Sequence, residues 1–118
     1  MNTLLIVDDE AHIRYLYHIF FAQEGYRVLE AKDANAANEI LKQQPIDVVL
    51  LDLRMPQANG GTLYEVMQLF HRKVKVIVSS VYPIEHQKRL VAGAVDYFDK
   101  SQGLLQLLTK VQAVLQGA

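Results

Sequence analysis

Five short apolar runs alternate with amphipathic stretches along this chain of 118 residues, and this alternation constrains the fold more than any other feature. Three of the runs are rich in β-branched residues and are bounded by acids, proline or turns, as strands buried on both faces are. The predicted strands lie at 3–7, 26–30, 46–51, 74–79 and 94–98. The predicted helices lie at 11–24, 34–43, 61–71, 84–92 and 103–116.

This order of elements predicts an α/β fold with a doubly wound parallel sheet. Strand, helix and strand in regular succession require right-handed crossovers, which place helices on both faces of the sheet. The length suits one domain, and we expect it to cover residues 1–118. Functional groups in such open sheets lie at the carboxyl ends of the strands.

Composition excludes several classes of function. Twelve basic and thirteen acidic residues give a net charge of −1, and no basic block is present, so direct binding to nucleic acid is not expected. No apolar run approaches the ~20 residues that cross a bilayer, and the first residues lack a signal-peptide pattern. The absence of cysteine excludes disulfides, thiolate metal sites and a cysteine nucleophile, and it suits the cytoplasm.

Polar residues follow four of the predicted strands. Asp8 and Asp9 follow the first strand, Asp52 the third, Ser80 the fourth and Lys100 the fifth. A single aspartate after a strand often caps the next helix, but a turn-rich segment follows Asp52 instead. Three carboxylates at one edge repel one another and need a cation, and a set of hard oxygen ligands favours Mg²⁺.

An aspartate beside a metal and a lysine can receive a phosphoryl group. The metal and the ammonium offset the charge on the phosphoryl oxygens while a carboxylate oxygen attacks in line. The residues at the strand ends therefore favour phosphoryl transfer, with one aspartate as the nucleophile.

Four motifs together resemble the receiver domain of two-component response regulators, over essentially the whole chain. They are LLIVDDE, VVLLDLRMP with a glycine following, VIVSSV and GAVDYFDK, each at the end of a different strand. The resemblance implies a flavodoxin-like (βα)5 fold with strand order 2-1-3-4-5.

The resemblance also assigns roles to the residues of the predicted site. By position, Asp52 matches the phosphoacceptor, and Lys100 matches the lysine that contacts the phosphoryl group. Asp8 and Asp9 match the acidic pair that holds Mg²⁺ together with Asp52, and the backbone carbonyl of Arg54 matches a further metal ligand.

Two further residues match the family's conformational switch. Ser80 matches the hydroxyl residue that bonds a phosphoryl oxygen, with Ser79 as the alternative, and Tyr97 matches the switch aromatic. In the family, phosphorylation changes the face formed by the fourth helix, the fifth strand and the fifth helix.

The family resemblance implies partners as well. The phosphodonor would be a histidine kinase or a histidine phosphotransfer protein, and the signal would pass to a downstream target protein or an output domain. We expect a cytoplasmic monomer or a weak, phosphorylation-dependent dimer that catalyses at most its own phosphorylation and slow dephosphorylation.

The sequence departs from the family pattern after the fourth strand. Many receivers have a cis proline after the lysine, but Ser101 follows Lys100 here, and a cis bond to a non-proline residue costs about 2.5–4 kcal/mol. The segment from Ser80 to Lys100 is also shorter than is usual in the family, so we expect a short or late fourth helix.

Two other classes of function remain as alternatives. Haloacid-dehalogenase-like phosphatases also form an aspartyl phosphate, but they use Asp-x-Asp, whereas Arg54 lies two residues after Asp52. A flavodoxin-like nucleotide or flavin module would cradle phosphate on a Gly-rich or Ser/Thr-rich loop, and Asp8 and Asp9 would repel that phosphate.

Overall fold

Five parallel strands form a single sheet in the computed structural model, which describes residues 1–53, 60–71 and 73–116. The spatial order is β2-β1-β3-β4-β5, and each neighbouring pair is parallel, so the predicted class and strand order are confirmed. The strands are β1 (Thr3–Val7), β2 (Arg27–Ala31), β3 (Val48–Leu51), β4 (Lys75–Ser80) and β5 (Asp96–Asp99).

One helix follows each strand. The helices are α1 (Ala11–Gln23), α2 (Ala34–Gln43), α3 (Gly60–Phe70), α4 (Ile84–Leu90) and α5 (Leu104–Leu115). Every predicted element is present with small shifts at its ends. Among the described residues, no helix is long and apolar enough to cross a membrane.

The sheet separates two apolar layers because successive strand residues point to opposite faces. Leu5 and Val7 of β1 pack in a cluster with residues of α2 and α3, among them Met67. Leu4 and Ile6 pack on the other face with residues of α1 and α5. Burial on both faces explains why the strands read as continuous apolar runs.

The expected short fourth helix is present. Helix α4 has seven residues, begins after Pro83 and ends at Leu90. The chain then becomes extended at Val91 and turns at Gly93, whose φ of 90° lies in the left-handed region that favours glycine. No cis peptide bond occurs in the described chain, so the bond between Lys100 and Ser101 is trans.

Candidate functional site

The ends of β1 and β3 bring two buried carboxylates together. The strands are in register up to Val7 and Leu51, and the Asp52 backbone N–H donates to the Val7 carbonyl at 3.0 Å. Asp8 is 2% exposed and Asp52 4%, whereas Asp9 is exposed. One carboxylate oxygen from each aspartate lies within 4.8 Å of the others, as the sequence predicted.

Lys100 joins this cluster from the end of β5. Its backbone N–H donates to the Ser80 carbonyl at 2.9 Å, which fixes it beside β4. Its side chain is 9% exposed, and Nζ lies 2.5 Å from Asp8 Oδ2 and 3.5 Å from Asp52 Oδ2. Burial lowers the pKa of Lys100, but the hydrogen bond that Lys100 donates to Asp8 and the charges of Asp52 and Asp8 outweigh this effect, so the pKa is raised.

Further hydrogen bonds fix Asp8. Its Oδ1 accepts the backbone N–H of Glu10 at 2.9 Å, and its backbone carbonyl accepts Nη1 of Arg14 at 2.6 Å. Arg14 Nε also lies 3.3 Å from Glu30 Oε1, so this side chain ties the end of β1 to β2. Sequence reasoning missed this role of Arg14, because the contact with a backbone carbonyl depends on the side-chain conformation.

A small polar pocket opens over the cluster. Its volume is about 110 Å³, and it is lined by Asp9, Glu10, Asp52, Val81 and Lys100. Liquid water occupies about 30 Å³ per molecule, so the space fits a small ion with a few waters or a phosphoryl group. The carboxylates supply hard oxygen ligands and no nitrogen or sulfur, which is a donor set that suits Mg²⁺.

The two serines at the end of β4 lie on opposite faces of the sheet. Ser80 is fully buried and shares the face of Val78, which is the register partner of Tyr97, and Ser80 Oγ accepts the Tyr82 backbone N–H at 3.2 Å. Ser79 lies on the opposite face of the sheet, where its register partner Phe98 packs against residues of α1 and α5. Ser80 is therefore the serine that shares a face with the aromatic of the predicted switch.

Tyr97 points inward in this structure. It is 8% exposed, and its hydroxyl donates to the Val91 carbonyl at 2.5 Å and accepts the Ala94 backbone N–H at 3.3 Å. These bonds connect β5 to the end of α4.

Tyr17 of α1 lies close enough to Lys100, Asp8 and Asp52 to interact with their charges, and it was not predicted as part of the site. It is 7% exposed. Burial raises the pKa of Tyr17, and this effect outweighs the nearby Lys100 ammonium, which lowers it. In the sequence, Tyr17 is one of several apolar residues of the first predicted helix, and nothing distinguishes it from a residue of the core. Arg54, the predicted carbonyl ligand, lies outside the described residues.

Comparison with known proteins identifies the family. The profile of the response regulator receiver domain matches residues 4–112. Response regulator GtcR of Aneurinibacillus migulanus is 33% identical over 99% of this chain and 49% of its own length. Sporulation initiation phosphotransferase F of Bacillus subtilis is 33% identical over 84% of this chain and 82% of its own length. The chain therefore belongs to the response regulator receiver domain family, a family of signalling domains.

Solved structures agree with this assignment. The response regulator TrrA of Thermotoga maritima, in complex with Mg²⁺ and beryllofluoride, superposes with a TM-score of 0.90 at 28% identity and covers 98% of this chain and 100% of its own. This chain spans about half the length of response regulator GtcR and of the transcriptional regulatory protein CpxR of Klebsiella pneumoniae.

Proposed function

We propose that Asp52 accepts a phosphoryl group from a phosphohistidine of a histidine kinase or a histidine phosphotransfer protein. One observation carries this proposal. The Asp52 carboxylate is buried and lines the pocket, with Lys100 Nζ at 3.5 Å and oxygens of Asp8 and Asp9 within 4.8 Å.

The surroundings of the three aspartates favour Asp52 as the nucleophile. Both oxygens of Asp8 accept hydrogen bonds, from Glu10 and from Lys100, and Asp8 does not line the described pocket. Asp9 lines the pocket but is exposed, so water solvates its carboxylate. Asp52 combines burial with access to the pocket, which suits in-line attack on a phosphorus atom.

In the proposed step an oxygen of Asp52 bonds to phosphorus while the bond between phosphorus and the donor imidazole nitrogen breaks. The products are an aspartyl phosphate at Asp52 and the free imidazole of the donor histidine. Asp8, Asp9 and Asp52, with the backbone carbonyl of Arg54, would hold Mg²⁺, which would neutralise charge on the transferred oxygens. Lys100 would donate a hydrogen bond to a phosphoryl oxygen, since its raised pKa keeps the ammonium charged at neutral pH.

The switch is proposed to run from Ser80 to Tyr97. Ser80 would bond the new phosphoryl group, and Tyr97 would adjust with it because the two share one face of the sheet. Tyr97 bonds the Val91 carbonyl directly after α4, so its movement would reach the α4-β5-α5 face. Phosphorylation would thereby shift an existing equilibrium between two arrangements of this face.

The proposal includes the setting of the domain. We expect the receiver unit to extend over residues 1–118, to be cytoplasmic, and to act on a downstream target or an output domain without touching nucleic acid or membrane itself. A monomer or a weak phosphorylation-dependent dimer is expected, and no turnover beyond its own phosphorylation and dephosphorylation.

Intact mass measurement tests the proposal. The wild type and Asp52→Asn are incubated with acetyl phosphate, with and without Mg²⁺. We expect the mass of one phosphoryl group to be added to the wild type alone, and only with Mg²⁺. Equal gain by Asp52→Asn, or gain that does not depend on Mg²⁺, would contradict the assignment.

A further inference from the structure

Helix α4 is attached to the sheet through a polar side chain. Gln87 is fully buried, and none of the other six residues of this helix, all of which the structure describes, is buried. It occupies the position three residues after Ile84 and four before Val91, where an amphipathic helix normally places an apolar residue. A buried amide at that position requires hydrogen-bond partners.

The partners of Gln87 are backbone carbonyls on two different segments. Nε2 donates to the Tyr82 carbonyl at 2.7 Å and to the Phe98 carbonyl at 2.9 Å, and the Ser80 carbonyl lies at 3.5 Å. Tyr82 belongs to the segment between β4 and α4, and Phe98 belongs to β5 two residues before Lys100. One amide group therefore fastens the β4-α4 segment to β5 beside the proposed site.

The same segment covers Ser80. Ser80 has no exposed surface, and its Oγ accepts the N–H of Tyr82, the residue whose carbonyl Gln87 holds. The wall of the pocket on this side is Val81, not Ser80. A phosphoryl group on Asp52 would contact Ser80 Oγ only after the backbone of Val81 and Tyr82 moved aside, and that movement would lengthen the hydrogen bond from Gln87 to Tyr82.

We propose that Gln87 is a latch that holds the β4-α4 segment closed over Ser80 and releases Tyr82 when a phosphoryl group is bound. This inference rests on the proposed function. Hydrogen bonds suit a latch because they weaken steeply when distance or angle changes, whereas apolar contacts are non-directional and persist through small displacements. Among the described residues Gln87 Oε1 has no hydrogen-bond partner, which makes the latched arrangement less stable than a fully bonded one.

Titration with beryllofluoride and Mg²⁺, a phosphoryl mimic, tests the latch in a matched pair of variants. Gln87→Met keeps the length of the side chain and removes both donors. Gln43→Met makes the same change at an exposed position of α2. We expect Gln87→Met to bind beryllofluoride about tenfold more tightly than the wild type, because binding no longer has to break a buried hydrogen bond. Gln43→Met should bind as the wild type does.

A second measurement uses the wild type, so the test stands if Gln87→Met fails to fold. The side-chain amide of Gln87 gives its own pair of NMR signals. We expect these protons to be protected from exchange in the free protein and to shift and lose protection when beryllofluoride saturates the site. A structural role alone would leave them unchanged.

Failure of the latch and failure of the proposed function differ in their results. Unchanged Gln87 amide signals on saturation, or equal or weaker binding by Gln87→Met, would overturn the latch while the proposed function stands. A wild type that neither binds beryllofluoride nor gains a phosphoryl group would overturn the proposed function, and the latch with it.

Discussion

Replacement of Lys100 by methionine tests the electrostatics of the site in isolation from phosphorylation. The lysine is 9% exposed, and its Nζ lies 2.5 Å from Asp8 Oδ2 and 3.5 Å from Asp52 Oδ2. Methionine fills a similar volume and leaves both carboxylates, which are more deeply buried than the lysine, without this cation. Their repulsion then acts against folding.

The size of the loss follows from the burial of the pair. Removal of one partner from a buried ion pair costs about 3–5 kcal/mol. We expect the lower end, about 3 kcal/mol at pH 7, because the pocket of about 110 Å³ admits water to Asp52.

Mg²⁺ should restore much of this stability. A ligand that binds only the folded state adds about 2.7 kcal/mol at a concentration 100 times its Kd. In the wild type Lys100 already holds Asp8 Oδ2, so a metal ion competes with it for that oxygen. We therefore expect Mg²⁺ to stabilise Lys100→Met more than the wild type.

Urea unfolding with and without Mg²⁺ measures both effects. Lys110→Met is the matched control, because Lys110 Nζ lies 3.2 Å from Asp96 Oδ1 in a partly exposed pair. Such surface pairs contribute about 0–1 kcal/mol, and no Mg²⁺ effect is expected. A loss in Lys100→Met no larger than in Lys110→Met, or equal Mg²⁺ stabilisation of variant and wild type, would refute the reasoning.

Three further predictions concern groups around the site. Burial raises the pKa of Tyr17 above its ordinary value of 10.0, so this residue contributes stability below pH 10 that is lost as the pH rises through its pKa in the folded protein. In unfolding measurements from pH 9 to 12, the free energy of unfolding should therefore fall less steeply in Tyr17→Phe than in the wild type. Arg14→Ala should lower the free energy of unfolding by about 2 kcal/mol, since the Asp8 carbonyl loses a charged donor; no change in the urea midpoint would argue against that contact. Gly93→Ala should cost about 1–2 kcal/mol because φ is 90° there, and calorimetry that shows an unchanged Tm would contradict it.

The fold and the main site residues could be predicted because both depend on the order of elements along the chain. Alternation of strands and helices brings the carboxyl ends of β1, β3 and β5 to one edge, so the backbone alone places Asp8, Asp52 and Lys100 near one another. The family resemblance then supplied the strand order and the roles. The inward orientation of Tyr97 needed the structure, because it depends on the side-chain rotamer, which the position of the residue in the strand does not determine.

Contacts that depend on side-chain conformation could not be predicted. Arg14, in the first turn of α1, donates to the Asp8 carbonyl before the helix. Nothing in its position in the sequence distinguishes it from an arginine that points into solvent. The burial of Gln87 could have been predicted, because it interrupts the apolar stripe of Ile84 and Val91. A polar side chain at a buried position requires hydrogen-bond partners. The sequence favoured Ser80 over Ser79 by resemblance alone, and the register with β5 adds that Ser80 lies on the face of Tyr97.

Identification of the phosphorylated residue tests the central claim most directly. Protein treated with acetyl phosphate and Mg²⁺ is reduced with borohydride, which converts an aspartyl phosphate to homoserine, and its peptides are sequenced by mass spectrometry. The account predicts homoserine at position 52 and at neither Asp8 nor Asp9. Homoserine at position 8 or 9, with position 52 unmodified, would contradict it.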